Sequence, residues 1–318
     1  VLGRDDSPAP LGEVSHFQAL TTAISGTVGI GNIGGVAVAV SLGGPGATLW
    51  MIVGGLLGMA TKFMECSLAV VYRRIDQGTV TGGPMVYLPE GFRQLGWPRL
   101  GQFLGTVYAV LMVCACLGAG NMFQSNQAFH QLVFATGGVS SWFADKGWWV
   151  GGCMAVFVGY VIIGGIRSIV RVTEKIVPLM AGIYVLSAGV MLCFNAHFLP
   201  HAFTLIWTQA LTPVAFKGGL VGVMMVGFQR AFFSNEAGLG SAAIAHAAAQ
   251  TGEPLTQGFV ALLEPFIDTV IICTLTALVI TTASLQSPAL MQSQLLGIEL
   301  TSQAFTSQLS FFAQPLSI

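Results

Sequence analysis

The sequence predicts an all-α protein threaded repeatedly through a membrane, and three observations carry that prediction. Of 318 residues, 54% are hydrophobic and only 8% are charged, where a soluble domain carries about 25% charged residues. Mean hydropathy is +0.76. The few charges are separated by apolar runs long enough to cross roughly 30 Å of hydrocarbon. In lipid a helix is the element that satisfies its own backbone hydrogen bonds. A formal net charge of −1 leaves no basic face for nucleic acid. Cys66, Cys114, Cys116, Cys153, Cys193 and Cys273 all fall in apolar segments without a C-x-x-C pair, so they read as small buried hydrophobes.

Taken in order, the chain opens with a polar tail, residues 1–15, which carries Asp5, Asp6 and Glu13 and lacks the pattern of a secretion signal. Seven spans are then predicted, at 16–44, 45–72, 101–134, 148–166, 176–197, 214–249 and 258–282. The first two are joined by SLGGPG (41–46), a Gly-Pro turn that cannot continue a helix. The third and sixth exceed one straight crossing. Residues 73–101 form the longest polar connection within the spanning region. After Thr282 the chain turns rich in Ser and Gln, so 283–318 is predicted to be an extracytoplasmic loop with a short amphipathic helix. The chain starts without Met and ends abruptly after an odd number of spans, and it reads as part of a longer helical protein.

Orientation follows from the basic residues. With the N-terminus in the cytoplasm, Arg4, Arg73, Arg74, Arg93, Arg99, Arg167, Arg171 and Lys175 share that side, against Lys146 and Lys217 opposite. The positive-inside rule therefore predicts a multi-pass inner-membrane protein with a cytoplasmic N-terminus.

Polar groups inside spans are costly and point to function. Lys62 and Glu65, at i,i+3, can pair on one helix face. They read either as an ion pair near the cytoplasmic end, with Lys62 snorkelling, or as a gate. Glu264 and Asp268 lie one turn apart around Pro265, and read as cation-linked or gating groups or as partners of Arg230 or a lysine. Arg230 and Glu236 flank SNEAG and can bond to one another. In GAGNMFQSNQAFHQ (118–131), Asn121 and Gln124 face the same way at i,i+3. Side-chain amides of this kind satisfy both ends of a zwitterion, or else hold helices together. No histidine has an H-E-x-x-H partner, which excludes that zinc-hydrolase motif.

GTVGIGNIGG (26–35) contains a G-x-G-x-x-G string. A dinucleotide fold needs a preceding strand and an acid about 20 residues on. Residues 45–60 contain neither Asp nor Glu, and a membrane span follows, so no nucleotide is expected. The glycines serve either close helix packing or a deliberate helix break between residues 27 and 32. Freed amides at such a break bind a carboxylate and freed carbonyls hold sodium. A second interrupted segment, FFSNEAGLGSAAIAHAAA (232–249), carries Ser234, Asn235, Gly238 and Gly240. Two interrupted spans, the first and the sixth, point to a secondary transporter built on inverted repeats.

HFQALTTAISGTVGIGNIGGVAVAVSLGGPGATLWM, GMATKFMECSLAVVYR, TGGPM, GAGNMFQSN, GGIRSI and FFSNEAGLGSAAIAHAAA together resemble the alanine/glycine:cation symporter family, the sodium:alanine symporters, from about His16 to Thr282. The resemblance implies an incomplete leucine-transporter-like bundle of the amino acid–polyamine–organocation superfamily, with broken first and sixth core helices. One further helix is expected before this segment and several after Ile318. It also implies sodium-coupled uptake of alanine or glycine by alternating access, with sodium as coupling ion and no organic cofactor. The substrate carboxylate would meet Thr27, Gly29, Gly31 and Asn32, and Asn121 and Gln124 would contact the substrate from the third span. Phe228 and Phe233 would form an apolar wall, and sodium would lie near the carbonyls of Thr27 and Val28. Two other readings stay open: a non-transporting piece of a truncated or split symporter, and a membrane-embedded enzyme using Glu264 and Asp268 as an acid–base pair.

Overall fold

The structure, a computed structural model, describes residues 12–76, 79–211, 219–292 and 297–313. Arg4, Lys217 and the tail as far as Leu11 lie outside the described residues. Helix α1, His16–Thr27, starts with a capping box in which the Ser15 hydroxyl accepts the Gln18 N–H and the Gln18 side chain accepts the Ser15 N–H. After Val28–Ile30 the chain resumes as a π-helical stretch, Gly31–Gly35, and then α2, Val36–Gly43. The axis bends by 51° between the two halves. Helix α3, Ala47–Val71, follows, and then a hairpin of β1, Arg74–Asp76, and β2, Thr79–Thr81, with Ile75 opposite Val80. The polar connection is thus ordered: it also carries α4, Pro84–Gln94, begun by a proline whose missing N–H suits a first turn.

Helix α5, Pro98–Ala115, a π-helical stretch Cys116–Met122 and α6, Phe123–Ala135, form one 38-residue run. Then come α7, Gly147–Ile162, the 30-residue α8, Gly165–Phe194, and α9, Leu199–Leu211. Helix α10, Gly219–Asn235, stops at a turn in which Glu236, Gly238 and Gly240 have φ of 54°, 94° and 74°, and α11, Ser241–Ala247, follows. The next run is α12, Pro254–Ala261, the short α13, Leu263–Pro265, a π-helical stretch Phe266–Cys273 and α14, Thr274–Gln286. Helix α15, Ala289–Gln292, and α16, Ile298–Ala313, complete the described residues. Among the described residues, four helices are long and apolar enough to cross a membrane, or five if the bent first pair counts as one.

Helix α3 lies at the centre and packs on α10, α11 and α12. Close approach requires small residues: a Cβ on Gly227 would stand 2.5 Å from the Trp50 Cβ, and one on Gly54 would stand 2.8 Å from that of Ala231. The outer faces of α5 and α7 expose Val110, Leu111, Val113, Trp148, Val156, Phe157 and Tyr160, surface that suits lipid rather than water. Helix α16 is no peripheral loop helix. It buries Leu300 and Ala304 against the core, and the Thr301 hydroxyl donates to the Ile33 carbonyl at 3.1 Å.

Candidate functional site

The bend in the first segment, the end of α10 and the third π-helical stretch meet at Asp268, which is 0% exposed. A π-helical turn widens the backbone ladder and is often found where function needs a displaced side chain. The Asn32 amide donates to Asp268 Oδ1 at 2.6 Å and to the Asp268 carbonyl at 3.1 Å, while Asn32 Oδ1 accepts the Gly29 N–H at 2.7 Å. Asp268 Oδ2 accepts from the Ser234 and Thr269 hydroxyls, each at 2.8 Å. The Asn235 amide donates to Thr269 Oγ1 at 3.1 Å, and its own Oδ1 accepts the Ala237 N–H. A carboxylate buried without a counter-charge is strongly disfavoured. The three side chains that donate to Asp268 are all neutral.

Around this knot, a Cβ on Gly31 would stand 3.8 Å from Ser234 Cα, so the two interrupted segments touch. Gln124 Oε1 lies 3.8 Å from such a position on Gly29, and Gln127 Oε1 lies 3.6 Å from that on Gly34. A cavity of about 50 Å³ is lined by Val28, Gly29, Asn32, Met180 and Tyr184, and beside it a crevice of about 750 Å³ runs between α6, α8 and α16. Thr27 is buried, with its hydroxyl donating to the Ile24 carbonyl. Phe233 meets Phe123 edge-to-face at 5.4 Å.

A second buried cluster lies one turn earlier. Lys62, 0% exposed, pairs with Glu264 at 3.0 Å, and His246 Nε2 meets the other Glu264 oxygen at 2.6 Å. Gln257 links His246 Nδ1 to His16 Nδ1. Cys66, His246 and Glu264 bring potential metal ligands within 4.8 Å of one another. They fit a divalent cation poorly, because an ammonium already sits on the carboxylate and an amide on the imidazole. At the edge of this region Arg73 donates to the carbonyls of Ala247, Ala249 and Thr251, capping the end of α11. Burial pulls its guanidinium below the usual arginine range.

Several expectations are corrected. Lys62 does not snorkel or pair with Glu65: it pairs with Glu264 across the helix packing, and Glu65 is buried without an ion-pair partner among the described residues. Arg230 and Glu236 form no ion pair among the described residues; Glu236 accepts from Ser241 at 2.6 Å, and Arg230 partners neither Glu264 nor Asp268. Asn121 is exposed, and the amides beside the bend are Gln124 and Gln127, because the π-helical stretch ending at Met122 changes the face. Asn32 spends its amide on Asp268 and its carbonyl on Gly29, so it braces the bend from inside. Phe228 packs on α3, with its ring 5.9 Å from Trp50 and against Gly54. Gln127 belongs to the amide-rich stretch 118–131, whereas His246, Gln257, Thr269 and Thr301 stand outside every motif read from the sequence. His246 and Gln257, like His16 and Glu264, are rare polar residues in apolar runs, which is the signal that marks them.

Comparison with known proteins adds an independent line. A sequence model of the sodium:alanine symporter family matches residues 2–318. The sodium/alanine symporter AgcS of Methanococcus maripaludis is 44% identical over 297 residues, covering 92% of this chain and 63% of that protein. An uncharacterized transporter of Haemophilus influenzae is 40% identical, covering 94% of this chain and 63% of its own length. The amino-acid carrier protein AlsT of Bacillus subtilis is 38% identical, with 84% and 55% covered. The chain thus spans less than two thirds of the length of these relatives.

Proposed function

The chain belongs to the sodium:alanine symporter family, and on that premise we propose that it forms the binding core of a sodium-coupled carrier of small neutral amino acids, alanine or glycine. In this reading the protein is a multi-pass inner-membrane protein with a cytoplasmic N-terminus, on a leucine-transporter-like fold whose first and sixth core helices are broken. The bend at Val28–Ile30 and the interruption at Glu236–Gly240 support that fold. The substrate carboxylate lies against the backbone of Thr27, Gly29 and Gly31, where helix-terminal amides favour an anion. Gln124 takes the ammonium end, with Phe233 and Phe123 as the apolar wall.

The observation that carries the cation coupling is Asp268, a fully buried carboxylate with neutral side-chain partners. Its oxygens, with the hydroxyls of Ser234 and Thr269, are the hard oxygen ligands that an alkali cation takes, and in this reading the carbonyls of Thr27 and Val28 at the bend would complete the set. Sodium would supply the missing positive charge and draw both interrupted segments together. Binding then favours occlusion, and rocking of one helix group against the other releases both cargoes inward. The driving force is the ion gradient, about 2.3 kcal/mol per charge per 100 mV. An acid–base enzyme using Glu264 and Asp268 gains no support, since both carboxylates are fully buried and engaged by protein groups.

Uptake of labelled alanine into proteoliposomes by the full protein carrying this chain tests the reading. Uptake should require an inward sodium gradient and should collapse in Asp268→Asn. Uptake indifferent to sodium would sink it.

A further inference from the structure

Five side chains on five elements form one line, joined by an ion pair and three hydrogen bonds, from the buried centre towards the N-terminal end of α1. Lys62 on α3 meets Glu264 on α13, Glu264 meets His246 on α11, His246 meets Gln257 on α12, and Gln257 meets His16 on α1. Every member but His16 is buried, and His16 is partly exposed. The middle link has a property that neither the ion pair nor the histidines have alone. A glutamine amide has one accepting end and one donating end. Here each end faces the Nδ1 of a different imidazole, Oε1 that of His16 and Nε2 that of His246. Whichever way the amide is turned, one Nδ1 must carry a hydrogen and the other must not.

We propose that His16, Gln257 and His246 form a one-proton site, in which the Gln257 amide admits a proton on Nδ1 of either histidine but not of both. In the arrangement seen, His16 Nδ1–H donates to Gln257 Oε1, Gln257 Nε2–H donates to His246 Nδ1, and His246 Nε2–H donates to Glu264. A proton taken from solvent on His16 Nε2 then places the positive charge at the exposed end with every bond intact. Turning the amide accommodates the alternative: His16 gives up its Nδ1 hydrogen and keeps that on Nε2, while His246 gains one on Nδ1. The charge now sits beside Glu264 and Lys62. A second proton makes both imidazoles cationic, sets two N–H donors against each other at one link, and releases α1 from α12. Imidazole is the side chain suited to change charge in this way near neutral pH.

Few other charges face the two rings. Against His246, α3 brings Lys62, Glu65 and Cys66, α13 brings Glu264, and α4 brings the Tyr87 ring packed on Ala243 and Ala247. Against α1, α8 brings Glu174, held by Gln18 at 2.8 Å, with Arg171 and Lys175 turned to the surface; α12 brings Glu253, which accepts from Thr256. The inference stands on hydrogen bonding and does not depend on which cargo is carried.

The test is nitrogen NMR of the full protein with ¹⁵N-labelled histidine in lipid nanodiscs, with the two rings assigned through His16→Asn and His246→Asn. In the wild type, one Nδ1 of the pair should be protonated wherever the α1–α12 contact holds, and the two signals should move with a shared midpoint. Gln257→Glu, which accepts at both ends, should let both Nδ1 atoms carry hydrogens at neutral pH. His16→Asn, at a partly exposed site that tolerates change, should shift the His246 curve. Independent titration of the two wild-type rings, a Gln257→Glu pattern identical to wild type, or a His246 curve unmoved by His16→Asn would each overturn the proposal.

Discussion

Glu264 and Asp268 stand one turn apart on the same run, both at 0% exposure, yet they are built in opposite ways. Glu264 is charge-balanced: Lys62 holds one oxygen and His246 the other. Asp268 is held by an amide and two hydroxyls, which satisfy its hydrogen bonds and leave its charge uncancelled. Burial alone therefore does not tell the two carboxylates apart; the formal charge of the groups that bond to them does. The first cluster carries its own counter-charge, and the side chains that bond to the second carry none.

Substitutions that separate the two clusters test that contrast. Lys62→Met leaves Glu264 buried without its main counter-charge, and should lower stability by about 3–5 kcal/mol, seen as a fall in Tm of the detergent-solubilised protein. If Asp268→Asn proves equally damaging, the contrast between the clusters is wrong. Asp268→Asn should instead erase a sodium-induced rise in Tm, an effect of about 2.7 kcal/mol at 100 times Kd. A rise that persists in this variant places the cation elsewhere. Asn32→Ala removes the brace on both Asp268 and the Gly29 N–H and should cost about 1–3 kcal/mol, weakening sodium stabilisation before it touches alanine affinity. Normal sodium response with lost alanine binding would instead make Asn32 a direct substrate ligand. Ser15→Ala, at the α1 cap and outside both clusters, should cost about 1 kcal/mol and leave the sodium response unchanged. A changed response there would mean that α1 capping and cation binding are coupled.

Much of the helical architecture was legible because apolar run length is a local property of the chain. The apolar stretch at 45–72 became the single helix Ala47–Val71, and the polar interruptions at 232–249 fall where α10 gives way to α11. The partnerships were legible only in outline: a lysine was among the partners expected for Glu264, but which lysine was not. Spacing along one helix offers Lys62 the nearby Glu65, whereas packing of the chain offers Glu264 from a distant run, and no local pattern ranks the two. The face shared by Asn121 and Gln124 presumed 3.6 residues per turn, a rule that a π-helical stretch suspends. Glu236 takes a positive φ, a conformation that its side chain type does not announce, and its carboxylate bonds to Ser241 and not to Arg230.

The cap that Arg73 places on α11 gives the second interruption a mechanical sense. One guanidinium holds three carbonyls there, and the backbone of Glu13 and Val14 bonds to Ala248, with Gln250 bonding back to Val14. That end of α11 is pinned by backbone groups, while the other end is tied through the Ser241 hydroxyl, which donates to Glu236. Seven residues make a lever about 10 Å long. A tilt of about 10° about the pinned end would therefore carry the Ser241 end through about 2 Å, enough to break a hydrogen bond such as the one from Ser241 to Glu236.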